Sequence, residues 1–129
     1  MMDYFTFYKL ILSTVKETKV TDGSQLKEKL NSIPEVLHSI KTKEDGILLS
    51  DQFQETLENL IDDGLIKGKT IPTKGPNLYL IHGLSTTGHQ YLENLKDPKF
   101  LDKVKMILKE EGIPVTPTSI TRTIAKLAL

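Results

Sequence analysis

The sequence predicts a mainly α-helical fold with one small antiparallel β-hairpin, and three observations lead there. Apolar residues recur at spacings of three and four along several segments, beginning with Tyr4, Tyr8, Ile11 and Val15. Two short runs rich in Ile, Leu, Thr and Tyr, residues 65–71 and 78–82, flank Pro72, Thr73, Lys74, Gly75, Pro76 and Asn77. This ribbon sits between two capped amphipathic helices within residues 48–95. Helix, ribbon and helix in that order are the signature of a winged helix-turn-helix, here with two extra C-terminal helices. Residues 1–95 are the expected winged-helix domain, and 96–129 a C-terminal helical extension packed on the same domain.

Residues 3–17 read as the first helix. Phe5, Phe7, Leu10 and Leu12 widen its apolar line beyond the stripe of roughly 100° that a half-exposed helix carries. The helix therefore lies under the C-terminal segment or forms a homodimer interface through Phe5, Phe7 and Leu10. Asp22, Gly23 and Ser24 are turn and capping residues closing a connector. Residues 24–30 and 33–40 form two short helical pieces divided by Asn31, Ser32 and Pro34, with Leu26, Leu30, Ile33, Leu37 and Ile40 facing inward. One of them precedes the recognition helix. A polar loop, 41–46, leads into Ile47 and Leu48, where a short third strand is expected.

Ser50 is the expected N-cap of the recognition helix, whose inner face is Phe53, Leu57, Leu60 and Ile61. Gly64, after Asp62 and Asp63, supplies a left-handed stop. A lone hairpin is barely stable, so Ile66 and Ile71, with Leu78 or Tyr79, should rest on the helices. Ser85 caps a helix carrying Leu84, Gly88, Tyr91 or Leu92, and Leu95 at helical spacing. Glycine costs a helix about 1 kcal/mol against alanine, and close packing against the ribbon or the preceding helix accounts for it at Gly88. Asp97 and Pro98 start a further helix with Phe100, Leu101, Val104, Ile107 and Leu108 buried. Gly112, Ile113 and Pro114 stop it. Thr116 and Pro117 start the last helix, with Ile120, Ile124 and Leu127 inward.

Ser50-Asp51-Gln52-Phe53, the exit Asp63-Gly64-Leu65-Ile66, Leu78-Tyr79 and the segment from Leu84-Ser85-Thr86-Thr87-Gly88 to Tyr91-Leu92 resemble the YjcQ-like family of small bacterial and phage-associated winged-helix proteins, together with a related domain family of unknown function. The likeness is best over residues 49–95. It departs from the family pattern at Ser85, where threonine is usual, and in a longer stretch between the first helix and Ser50. The resemblance implies a winged-helix fold and a DNA-associated role in a phage or mobile-element setting. It implies no catalytic residue.

A length of 129 residues fits one domain. Hydrophobic content of 38% and charged content of 26% fit a globular protein. The absence of cysteine excludes disulfides, thiolate metal sites and a cysteine nucleophile, and agrees with a cytosolic protein. No apolar run approaches the ~20 residues of a membrane helix, and the early Asp3, Lys9 and Lys16 do not resemble a signal peptide. No membrane association and a cytoplasmic location are expected. The 17 basic and 17 acidic residues cancel, so no global field steers the chain to nucleic acid.

The search for chemistry returns little. Gly68-Lys69-Thr70 has a phosphate-loop ending without the strand, loop, helix order that such a loop requires. Gly83-Leu84-Ser85-Thr86-Thr87 lacks the second glycine and the strained turn of a nucleophile elbow. His38, His82 and His89 have no metal-binding spacing. No catalytic residue, metal or cofactor is expected, and no enzymatic activity. Asp62 and Asp63 at a helix C-terminus oppose its dipole.

The recognition helix offers Asp51, Gln52, Gln54, Glu55, Glu58, Asn59 and Asp62 outward, with no lysine or arginine from 50 to 63. Gln and Asn read adenine edges and Glu accepts from cytosine. The expected contacts with double-stranded DNA are Gln52, Gln54, Glu55 and Asn59 toward bases, and Lys67, Lys69 and Lys74 of the wing toward phosphate. The expected function is a DNA-associated regulator, dimeric and non-enzymatic. The alternative is a winged helix used for protein contacts, through a homodimer or a basic partner, without DNA binding.

Overall fold

A computed structural model describes residues 2–128 as a mainly helical fold with a two-stranded antiparallel sheet. The first helix, α1 (Tyr4–Glu17), starts where the Asp3 carboxylate accepts the Phe5 N–H at 2.7 Å. Its wide apolar surface is enclosed by the chain itself. Phe5, Phe7, Tyr8, Ile11, Leu12 and Val15 are all buried, and Phe7 meets Phe53 edge to face. The homodimer expected through Phe5, Phe7 and Leu10 is therefore corrected: the two phenylalanines are core residues, and Leu10 is half-buried against the same core. A helix covered on several sides needs apolar residues all round.

α2 (Gly23–Asn31) is capped by Asp22, which accepts the Gln25 N–H at 2.8 Å. Just before it, Asp22 forms an antiparallel bridge with Leu80, and the Ile81 N–H donates to the Thr21 carbonyl at 2.9 Å. The third strand expected at Ile47 and Leu48 thus lies between the first two helices instead, as a single bridge. α3 (Pro34–Ser39) has Pro34 at its start and buries Val36. Leu37 and Ile40, expected inward, are exposed: a helix of fewer than two turns presents one side to the core, here Val36, and Ile40 is already its C-cap.

α4 (Lys43–Asp62) is capped by Thr42, eight residues before the Ser50 cap that the sequence predicts. Thr42 accepts the Asp45 N–H at 3.1 Å, and the Asp45 carboxylate accepts the Thr42 N–H at 3.1 Å, a reciprocal capping box. The Lys41 N–H and these contacts hold the Asp45 carboxyl below its usual range. Ser50 is inside the helix, where its hydroxyl accepts from Lys27 Nζ at 3.0 Å. The helix ends as expected at Gly64, φ +76°. The Leu65 N–H reaches back to the Leu60 carbonyl (2.9 Å) and the Gly64 N–H to Ile61 (3.1 Å), a Schellman stop.

β1 (Ile66–Ile71) and β2 (Leu78–Leu84) pair antiparallel, with Thr70 opposite Tyr79 and Ile71 opposite Leu78; a bulge falls between Lys67 and Gly68. Ile66, Tyr79, Ile81 and Leu84 form the inner face. Alternation along a strand turns Leu78 outward, so that of Leu78 and Tyr79 it is Tyr79 that rests on the helices, and Ile71, expected inward, is left half-exposed.

α5 (Thr86–Lys96) is capped by Ser85, which accepts the Gly88 N–H at 3.0 Å. The Leu65 carbonyl gathers this junction, accepting from the Ser85 N–H (2.9 Å) and the Ser85 hydroxyl (3.1 Å). Gly88 lies against that carbonyl so closely that any Cβ would overlap it. α6 (Pro98–Glu110) buries Val104 and Leu108, and stops at Gly112 with the Ile113 N–H on the Leu108 carbonyl. α7 (Pro117–Ala128) buries Ile120 and Ile124 and packs on α1, α4 and α6. Tyr8 Oη lies 2.7 Å from Thr121 Oγ1, joining the first helix to α7.

Candidate functional site

The buried stripe of α4 runs through Leu49, Gln52, Phe53, Thr56, Leu57 and Leu60, at the spacing of three and four that one helix face requires. Everything opposite that stripe is presented outward. This outward face begins with Glu44, Ile47 and Leu48 and continues through Asp51, Glu55 and Asp62, with Gln54 and Glu58 half-buried at its border. Ile47 is 55% exposed and Leu48 49%. After Lys43, no cation lies on the helix.

Several side chains expected to read bases are engaged elsewhere. Gln52 is only 3% exposed, and its amide donates to the Met2 carbonyl at 2.9 Å; it belongs to the core face, which corrects its place in the expected DNA contacts. Asn59 accepts from the Thr118 hydroxyl at 2.6 Å and donates to the Glu55 carbonyl at 2.8 Å, so it ties α7 to α4. Both amide atoms are committed, which removes Asn59 from base reading too. Glu55 stays exposed beside Tyr4, whose hydroxyl is pushed up to about 12 by that carboxylate and by burial. Gln54 borders a cleft of about 360 Å³ between the start of α2, the middle of α4 and the start of β2.

Glu58 has a structural use. Its carboxylate accepts from Tyr79 Oη at 2.6 Å and from the Asn77 amide at 2.8 Å. Tyr79 is buried, and burial together with that carboxylate raises its phenol above the ordinary range. The stem of the ribbon is thereby fastened to α4 by charge-assisted bonds.

Lys67 and Lys69 on the ribbon and Lys74 at its tip are all exposed. Lys67 and Lys69 share the outer ribbon face with Leu78, Leu80 and His82, and Lys69 stands opposite Leu80. Leu78 is 56% exposed and Leu80 40%. The ion pairs formed among the described residues converge instead on Glu93, from Lys16 at 3.4 Å and Lys96 at 3.2 Å.

Two features of the surface were hidden from sequence reasoning. Ile47 and Leu48 precede Leu49 in one apolar run, yet projecting the Leu49, Phe53, Leu57, Leu60 spacing backward places both off the buried stripe. The outward leucines of β2 follow from alternation once Tyr79 and Ile81 are fixed inward. Among the described residues, no helix is long and apolar enough to cross a membrane. Comparison with family models, curated proteins and solved structures finds no match to this chain.

Proposed function

We propose that the chain is a non-enzymatic interaction module on a winged-helix plan, in which the outward face of α4 binds a protein surface that is basic and partly apolar. The plan is supported by the order of elements: α1, the Thr21–Asp22 bridge, α2, α3, α4 and then the ribbon. The observation that carries the binding role is the pairing of exposed Ile47 and Leu48 with Glu44, Asp51, Glu55 and Asp62. Carboxylates on the helix that would enter a groove are repelled by phosphates, whose neutralisation supplies most DNA affinity. The YjcQ-like resemblance, a phage or mobile-element setting and a cytoplasmic location belong to the same proposal.

A second reading, duplex DNA held by the wing, is favoured by the exposure of Lys67, Lys69 and Lys74. Fluorescence anisotropy separates the two, with a cationic Leu/Lys amphipathic peptide and a random duplex as probes at about 50 mM salt. The proposal expects peptide binding that Asp51→Lys with Glu55→Lys abolishes, and no duplex binding. Duplex binding that falls steeply with salt and weakens on replacing the three wing lysines by alanine would put the DNA reading in its place.

A further inference from the structure

The cation-bearing surface that matches the α4 face is carried by this same chain. On α4, Asp51 and Glu55 stand one turn apart beside Leu48, with Ile47 and Glu44 on the turn before. On the ribbon, Lys67 and Lys69 alternate outward beside Leu80 and Leu78, with His82 at the end. Each face joins exposed aliphatic side chains to charges of one sign, and the signs are opposite. The chain's zero net charge thus conceals two patches of opposite sign.

Their dimensions agree. Four residues of helix advance about 6 Å from Asp51 to Glu55, and two residues of strand advance about 6.6 Å from Lys67 to Lys69. The helix face from Glu44 to Glu55 is about 17 Å long, and the six residues of β1 span about 20 Å. No ion pair among the described residues draws on either patch, since those pairs use only Lys16, Lys96 and Glu93; Glu55 meets the uncharged Tyr4 hydroxyl. Contiguous exposed apolar side chains rimmed by polar ones mark contact surfaces, and Ile47 with Leu48, and Leu78 with Leu80, are neighbouring exposed pairs of that kind.

Resting on the reading of α4 as a protein-binding face, we infer that its partner is the outer ribbon face of a second copy of this chain. Every copy carries both faces, so a two-fold arrangement seats α4 of each protomer on the ribbon of the other and satisfies both patches at once. Such pairing closes at two copies, whereas a one-sided contact would propagate. The leucines and isoleucine supply the dry centre. The charges set the register and make association salt-sensitive.

The test is a charge exchange followed by sedimentation velocity over a concentration series at low and high salt. The wild type is expected to form a dimer that weakens as salt rises. The Asp51→Lys, Glu55→Lys variant and the Lys67→Glu, Lys69→Glu variant each lose dimer affinity by at least about tenfold. Mixed one to one, they regain it, because each mixed contact again pairs opposite signs. All four positions are exposed, and unchanged circular dichroism and Tm verify that the variants fold. A wild type that stays monomeric throughout overturns the inference, as does a mixture that fails to associate. If that monomer still binds the Leu/Lys peptide through α4, only the identity of the partner falls; if it binds neither, the interaction reading falls as well.

Discussion

Replacing Gly88 by alanine sets two effects of opposite sign against each other. In a helix interior, alanine is favoured over glycine by about 1 kcal/mol, so on propensity alone Gly88→Ala stabilises α5. The new methyl, however, would overlap the Leu65 carbonyl, which is main chain and has no rotamer in which to escape. Overpacking that forces a backbone shift costs about 1–3 kcal/mol. The same carbonyl holds two bonds from Ser85, each contributing about 1 kcal/mol. The overlap outweighs propensity, and the variant should be destabilised by about 1–3 kcal/mol net. Gly46 provides the control: in α4 its added Cβ meets only Ile40 Cγ2, at 3.9 Å, so Gly46→Ala should gain about 1 kcal/mol. Urea unfolding reads both as midpoint shifts in opposite directions at an unchanged slope, a loss on the order of 0.5–1.5 M for Gly88→Ala and a gain of about 0.5 M for Gly46→Ala. A Gly88→Ala protein as stable as the wild type would refute the account of the junction between α4, the ribbon and α5.

Three more outcomes follow from the geometry. Tyr79→Phe removes a hydroxyl bonded to the Glu58 carboxylate and should cost about 1.5 kcal/mol by urea unfolding, while the ring keeps its packing. Thr42→Ala deletes half of the capping box and should cost about 1 kcal/mol; amide exchange should quicken in the first turn of α4 ahead of the rest. Asp63 sits at the C-cap of α4, its carboxyl raised by desolvation and by Asp62 against the pull of Arg122. A raised carboxylate pKa means that folded chains bind the proton more tightly than unfolded ones, so stability is lost as pH rises through the folded value. Asp63→Asn should therefore stabilise the protein at pH 7, with about 0.3–1 kcal/mol from the helix dipole, and the gain should vanish below the carboxylate range. A gain that persists at about pH 3 would contradict that assignment.

The fold was legible where one residue carries a local requirement. Gly64, Gly112, Ser85 and Asp97 announce helix ends because a left-handed φ or an acceptor for free N–H groups is needed there, whatever the rest of the chain does. The start of α4 was not, since Thr42 and Ser50 are equally good caps by residue type; the choice fell to Asp45, which completes the reciprocal bonds only for Thr42. The third strand was misplaced because a single bridge has no periodicity to detect.

The candidate site divides in the same way. Lysines 67, 69 and 74 could be placed outward from the ribbon's alternation and its tip. Gln52 and Asn59 could not be excluded from it, because the Gln52 amide N–H and the Asn59 amide oxygen are engaged by Met2 and Thr118, partners 50 and 59 residues distant in sequence. Only tertiary packing brings such acceptors and donors together.

The bond between Tyr8 and Thr121 spans 113 residues, and it affects how the chain can be made. On a ribosome α1 emerges before α7, so although α2, α4, the ribbon and α5 can pack on it first, the side that α7 covers stays open until α7 has been synthesised. Closing contacts between such distant segments slows folding, and an apolar helix left waiting invites association with other nascent chains.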